Sequence, residues 1–438
     1  MSDDKHDDGS AGPPGDAVQD VTLGVDEELR LEVEGKNQIV QVVMKDGTAE
    51  IFGTEMIKDT LYQFGTGAKI AVFTYHGCVL QIKGKADSVY VAKETPMIMY
   101  LNTHGALETL RRSADADGKR GPIVLVVGAQ DVGKTTLCRI IINYAVRLGR
   151  RPIYVDLDVG QGSISVPGTI GAMLIERPAS IEDNGFVQQA PLAYFLGHKS
   201  PQNNIPLYNT LISKLAEVVH ERMESNRKAK SSGVIINTCG WVKADGYKSI
   251  THIAQAFEVD VVLVLDQERL YNDLSRDLPS FVKVVFLPKS GGVGDRSVSH
   301  RQEARDSRIR EYFYGKPGLQ PFHPHSFQVK LSEYKIFKIG APAIPLSCLP
   351  LGMKGDETRT KLVAVVNPTA ATLLHRLLAI SFATDETQQD VIQTNVAGFV
   401  CVTDFDQDKG KMTVLSPQPG PLPKTLLLLS EIQFMDAQ

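Results

Sequence analysis

Residues 123–148, IVLVVGAQDVGKTTLCRIIINYAVRL, decide how the rest of the chain is read. Ile123 to Val127 is a continuous apolar run that predicts a buried strand. Beyond the loop Gly128-Ala-Gln-Asp-Val-Gly133 the apolar period becomes helical: Leu137, Ile140, Ile141, Tyr144, Ala145 and Leu148 fall on one face. Strand, GxxxxGK[ST], helix is the phosphate-binding P-loop in its supporting context. The glycines let backbone N–H groups turn inward around phosphate oxygens, and the helix N-terminus adds the positive end of its dipole. Lys134 is placed to reach the β and γ phosphates, and Thr135 to ligate Mg²⁺. A tight strand-to-helix turn would explain the glycines but not the Lys-Thr that follows them.

Downstream, strands alternate with helices over residues 123–315. Strands are expected at 123–127, 153–157, 233–238, 260–265 and 282–287, and helices at 134–149, 206–229, 246–257, 268–275 and 300–313. That alternation predicts a parallel α/β sheet, with ligands at the carboxyl ends of its strands. The flanks read differently. Residues 1–20 are rich in Asp, Gly and Pro and predict a disordered acidic tail. Residues 21–102 read as an all-β domain. Leu29, Leu31 and Val33 alternate with charged residues as in a half-buried strand, and Asp46-Gly47 between QIVQVVM and AEIFG suggests a hairpin. A linker helix is expected in 103–122. Residues 316–438 return to short strands, with one helix near 370–380. The fold class expected is α/β: a central P-loop domain between an N-terminal β domain and a smaller, mostly β C-terminal domain.

Bulk composition sets limits. Charged residues make up 22% of the 438, and the net charge is −4. The chain is therefore no polycation, and any nucleic-acid site is a local patch. Five scattered cysteines without a CxxC argue for a reducing compartment and against zinc. No secretory signal or membrane-length apolar run is visible, which predicts a soluble intracellular protein and no membrane partner. Asp404, Asp406 and Asp408 lack the glycine and glutamate spacing of a calcium loop. His323 and His325 have no third ligand nearby.

Three further stretches carry chemistry. Asp156-Leu-Asp158-Val-Gly-Gln161 follows the second strand of the α/β region. Carboxylates at i and i+2 on an extended segment share a side, and P-loop enzymes use one there to assist Mg²⁺ or to accept a proton. Asp158 lies further beyond the strand and is the better candidate. Thr238-Cys-Gly-Trp241 holds the only tryptophan; it can stack a base or simply fill the core. Residues 289–315 contain the densest arginine cluster, after Gly291-Gly292. Arg301, Arg305 and Arg308 share a helical face and Arg296 precedes them. They form either a lid over the γ-phosphate or a solvated basic face.

With these motifs in order, the chain resembles the polyribonucleotide 5′-hydroxyl kinase subunit of the eukaryotic pre-mRNA cleavage and polyadenylation machinery. The blocks that carry the resemblance include AVFTYHG, PMIMYLNTHGALE, NYAVRLGRRPIYVDLDVGQGS, INTCGWV, VLVLDQERLYNDL, PKSGGV, IREYFYG and CLPLGM. It implies ATP and Mg²⁺ as cofactors and a phosphate cradle of Asp131, Val132, Gly133, Lys134, Thr135 and Thr136. It implies an adenine clamp through Glu28 and Lys69, which spacing alone would not select. Trp241 becomes an RNA-base clasp, with Gln161 also on the RNA side, and Arg296, Arg301 and Arg305 become the lid. Thr135 and Asp158 would serve the metal, and Lys134, Asp158 and the lid arginines the chemistry. The implied partners are RNA 5′-hydroxyl ends, other cleavage and polyadenylation subunits and, in animal members, the tRNA-splicing endonuclease, in the nucleus. Some family members have degenerate motifs and only hold ATP as scaffolds. Because the present chain keeps Lys134, Thr135, Asp158, Trp241 and the lid arginines, it is expected to be competent. A small-molecule P-loop kinase is a third reading, disfavoured by the flanking β domains.

Overall fold

The computed structural model describes residues 18–35, 38–183, 185–186, 191–315, 321–340, 360–384 and 386–435. Most of the expected acidic tail, Cys348 and the CLPLGM block lie outside the described residues. The chain divides into two compact units, residues 1–98 with 180–184, and residues 99–179 with 185–438.

The first unit holds two antiparallel sheets. One has the order Val18–Leu23, Cys78–Lys83, Ile39–Gly47, Leu61–Gly65, and the other Thr54–Glu55, Glu50–Ile51, Lys69–Phe73, Glu28–Glu32, Ser88–Ala92. Alternate residues of both, such as Val40, Val42, Leu29, Leu31, Ile70 and Val72, meet in one core, as strand periodicity requires. The hairpin expected at Asp46-Gly47 does not form. Ile39–Gly47 pairs instead with Leu61–Gly65 and Cys78–Lys83. Gly47 has φ +82 and lies so close to the Gly77 carbonyl that a Cβ would sit 2.2 Å from it. From there the chain passes to the other sheet, where Glu50–Ile51 pairs with Lys69–Phe73. The tight turn is Phe52-Gly53, both at positive φ, joining Glu50–Ile51 to Thr54–Glu55. The strand holding Leu29 and Leu31 is not half-buried either: Glu28 and Arg30, on its other face, are also buried.

The second unit is organised by a seven-stranded sheet ordered Leu192–Phe195, Thr169–Leu174, Ile153–Asp156, Val234–Asn237, Ile123–Gly128, Val261–Leu265, Lys283–Leu287. The last five are parallel, as the sequence predicts. Ile123 to Val127 are fully buried, which explains their unbroken apolar run. The first two strands are antiparallel, so the sheet is mixed. Antiparallel neighbours need no crossover helix, and these two lack the alternation that marked the rest. The helix expected over 206–229 is broken in two, Ile205–Ser225 and Arg227–Ser232. Asn226 takes an extended backbone and its side chain caps the second piece at Ala229 N.

A second seven-stranded sheet, built from residues 325–433, completes this unit. The helix expected near 370–380 is only Ala370–Leu373. His375 at φ +61 turns the chain, and Arg376–Ser381 is a strand paired on both sides. Central sheet position overrides the helical propensity of Leu374-His-Arg-Leu-Leu. Phe337, Ile339, Ala379 and Leu428 share one core with Val155, Leu157 and Leu196. The C-terminal sheet therefore braces the strand that leads into Asp156 and Asp158.

Candidate active site

The P-loop occupies the turn from Ile123–Gly128 into the helix Lys134–Arg147. Gly133, at φ +91, takes the left-handed conformation that glycine permits. A Cβ on Gly128 would lie 2.9 Å from the Leu265 carbonyl of the neighbouring strand. Lys134 is buried, and its ammonium donates to the Ala129 carbonyl at 2.6 Å. Burial pushes its pKa down, with Asp158 the strongest influence opposing that shift. Among the described residues Lys134 has no ion pair, so a buried cation faces the loop with only a carbonyl as partner. That donor set suits an anionic phosphate.

The two carboxylates divide their roles. Asp156 is 2% exposed and saturated. Its oxygens accept from Asp158 N, Asn237 Nδ2, Ser163 N and Ser163 Oγ at 2.7–3.0 Å. Asn237 Nδ2 also donates to Thr135 Oγ1 at 3.3 Å, so Asp156 is tied to Thr135 through one amide. In Asp158, Oδ1 accepts from Gly160 N and Gln161 N at 3.0 and 3.1 Å, leaving Oδ2 outside those bonds. Burial, then the neighbouring Asp156, raises its pKa from 3.8 to about 6, against the pull of Lys134 and those N–H groups.

The arginine cluster lies on the helix Val298–Tyr314, capped by Ser297 at His300 N. Arg296 and Arg301 both reach the P-loop, pairing with Asp131 at 2.9 and 2.5 Å. Gln161 Nε2 donates to the Arg301 carbonyl at 3.1 Å, which joins the loop after Asp158 to the helix Val298–Tyr314. Arg308 donates to the Ser163 carbonyl and pairs with Glu311. Arg305 turns to Gln302, so it does not share the Asp131 contact made by the other two.

Three family models match in sequence along the chain. They are the N-terminal beta-sandwich domain of polyadenylation factor over residues 22–114, the mRNA cleavage and polyadenylation factor CLP1 P-loop over 128–315, and pre-mRNA cleavage complex II protein Clp1 over 322–436. A CLP1 homolog of Anopheles gambiae is 61% identical, covering 95% of this chain and 97% of its own. The chain belongs to the Clp1 family. This is a family of pre-mRNA cleavage complex components. The Drosophila melanogaster CLP1 homolog is 56% identical over 96% of this chain and 99% of its own. A solved structure of the extended Pcf11p–Clp1p interface, which also addresses ATP loss in a point mutant, superposes with TM-score 0.82 at 25% identity. It covers 95% of this chain and 99% of that one.

Trp241 is half-buried. It packs on Gly246, where a Cβ would meet its ring at 2.7 Å, and Gly240 abuts the P-loop, where a Cβ would lie 2.5 Å from Gln130 N. The tryptophan stretch and the phosphate loop are therefore in van der Waals contact. The half-buried Cys239 has its thiol pushed up to about 11 by burial, away from the thiolate form. In the first unit, Glu28 pairs with Arg30 at 2.5 Å and accepts from Thr95 Oγ1, while Lys69 pairs with Glu32 and Glu34. Sequence reasoning missed Asn237 and Ser163, which hold Asp156, and the direction of the Asp131 side chain. Asn237 could have been found as the polar residue closing an otherwise apolar strand.

Proposed function

We propose that this chain is an ATP-dependent polynucleotide kinase that phosphorylates 5′-hydroxyl ends of RNA, acting within the pre-mRNA cleavage and polyadenylation machinery. The observation that carries this reading is Asp158. It is a half-buried carboxylate beyond a strand end, electrostatically coupled to Lys134, with a pKa raised to about 6 and one oxygen outside the backbone bonds that hold the other. A general base near neutrality has that character. The 5′-oxygen attacks the γ-phosphorus, its proton passes to Asp158, and ADP departs with the bridging oxygen. Lys134, Arg296, Arg301 and Arg305 neutralise charge on the transferring group, so catalysis is positioning and electrostatics. Mg²⁺, held through Thr135 with Asp158 assisting, would supply further charge neutralisation at the phosphates. Asp131 to Thr136 cradle the phosphates through their backbone. Glu28 and Lys69 serve adenine, and Gln161 and Trp241 the RNA.

The same reading places the chain in the nucleus with a Pcf11-type cleavage subunit, and with the tRNA-splicing endonuclease as a further partner. The test is transfer of radiolabelled phosphate from ATP to a 5′-hydroxyl RNA oligonucleotide. Wild type should label it and Lys134→Ala should not; equal labelling would sink the mechanism. The second reading is an ATP-holding scaffold, favoured by the retained P-loop itself. It predicts tight ATP binding, no RNA labelling, and slow ATP turnover indifferent to Asp158→Asn.

A further inference from the structure

Asp131 is a negative charge inside a loop that should attract phosphate. Its side chain is 4% exposed, and its backbone is left-handed at φ +54, where non-glycine residues are uncommon. A buried anion in this place would repel a triphosphate unless cations already neutralise it. They do. Asp131 accepts from Arg296 N at 3.0 Å, Arg296 Nε at 2.9 Å and Arg301 Nη2 at 2.5 Å. These contacts outweigh burial and hold its pKa below the usual carboxylate range. Both arginines keep donors beyond these bonds. Arg296 uses Nε toward Asp131 and Nη1 toward Gln161 Oε1, leaving Nη2. Arg301 leaves Nε and Nη1. A guanidinium has five N–H groups in a rigid fork, so fixing one edge aims the other.

The geometry points to Asp131 as a positioning residue that latches the lid arginines Arg296 and Arg301 onto the P-loop. It does not bind phosphate or metal through its carboxylate; it presents the free edges of two guanidiniums at the loop mouth. The latch is carried by the same nine-residue motif that carries the phosphate cradle, Gly128 to Thr136. Lid and nucleotide loop therefore move as one, and a bound triphosphate leaves only when both pairs open. Gln161 extends the tie to the loop bearing Asp158. The inference rests on the nucleotide-site part of the proposed function and is independent of turnover.

Asp131→Asn is the informative variant, because asparagine tolerates the left-handed backbone and keeps the shape while losing the charge. Two measurements on the full chain test it. In the nucleotide-free protein, hydrogen exchange of the segment 291–301 should be about tenfold faster in Asp131→Asn, with the helix Lys134–Arg147 unchanged. After loading with a fluorescent ATP analogue and Mg²⁺, a chase with ATP should release it about tenfold faster from Asp131→Asn. Arg296→Ala in the Asp131→Asn background should add little, since the two residues act as a pair. The wild-type advantage should shrink with salt, which a purely structural role would not show. Unchanged exchange in 291–301, or release rates that multiply independently in the double variant, would overturn the latch. Failure of wild type to bind the analogue would count against the proposed function, and the exchange experiment would still decide the latch.

Discussion

Asp158→Asn should stabilise the protein while abolishing its chemistry. The Asp158 carboxyl ionises at about 6 in the folded chain against an ordinary 3.8. The folded state thus binds its proton more tightly than the unfolded state does. Below pH 3.8 the group is neutral in both states and costs nothing. The cost builds between 3.8 and 6 and is complete above 6. At 1.36 kcal/mol per pKa unit it is at most about 3 kcal/mol at pH 7.5. Asparagine keeps a carbonyl for Gly160 N and Gln161 N and loses the repulsion from Asp156. It also removes the strongest influence sustaining the charge of buried Lys134, which offsets part of the gain. The expected net is roughly 1–2 kcal/mol, or about 1.5–3 °C in melting temperature for a unit of this size. Thermal and urea melts at pH 7.5 and pH 4.5 would check it, with the increment large at the first pH and much smaller at the second. A variant less stable than wild type at pH 7.5, or equally shifted at both pH values, would refute the reasoning. Gain of stability with loss of turnover is the behaviour of a group kept for function against the preference of the fold.

Other expectations follow from the same geometry. Single-turnover transfer to RNA should rise about tenfold from pH 5 to pH 7 as Asp158 ionises, then level off; a flat profile in that window argues against this base. Gly240→Ala sets a Cβ 2.5 Å from Gln130 N and forces the P-loop to shift, so ATP affinity by calorimetry should fall about 100-fold with the fold intact by circular dichroism. Asn237→Ala removes a donor from Asp156 and the contact to Thr135. It should cost about 1–2 kcal/mol in a denaturant melt and raise the Mg²⁺ needed for half-maximal ATP binding. Trp241 is the only tryptophan, so RNA that stacks on it should quench the intrinsic fluorescence. Trp241→Ala should raise the RNA KM roughly tenfold and leave the ATP KM alone.

What could be read from the sequence was what local rules govern. The P-loop strand and helix, the five parallel strands and the positions of Asp156 and Asp158 all announce themselves by apolar period or by fixed spacing. Residues 376–381 did not. A run such as Leu-Leu-Ala-Ile reads as helix or strand, and only pairing with Val396–Asp406 and Leu426–Gln433 decides it. The Asp46-Gly47 turn failed for a similar reason. The dipeptide permits a hairpin, but the approach of Gly77 makes Gly47 a crossing point between sheets. At the site, residue identity was legible and orientation was not. Asp131 reads as a loop residue over the phosphates, whereas its carboxylate points to arginines 165 and 170 positions away. Asn237 and Ser163 lie inside blocks that carry the resemblance, but no motif gives them a role, and they matter only because folding brings them to Asp156.

The division between the two carboxylates bears on whether this chain turns over ATP or only holds it. Asp156 is the carboxylate the fold uses: buried, saturated, and tied to Thr135 through Asn237. A protein that merely stores a nucleotide would need that network and the P-loop. It would use Asp158 to hold Gly160 N and Gln161 N, which a neutral amide oxygen could do as well, and would not require a carboxylate that ionises against the preference of its surroundings beside another anion. Nor would it need a half-buried tryptophan whose stretch is packed against the phosphate loop through Gly240. Departures from local consistency concentrate where function requires them. Here they fall beside the P-loop, on the side that the proposed function gives to the RNA end, and that is the physical ground for preferring the kinase to the scaffold.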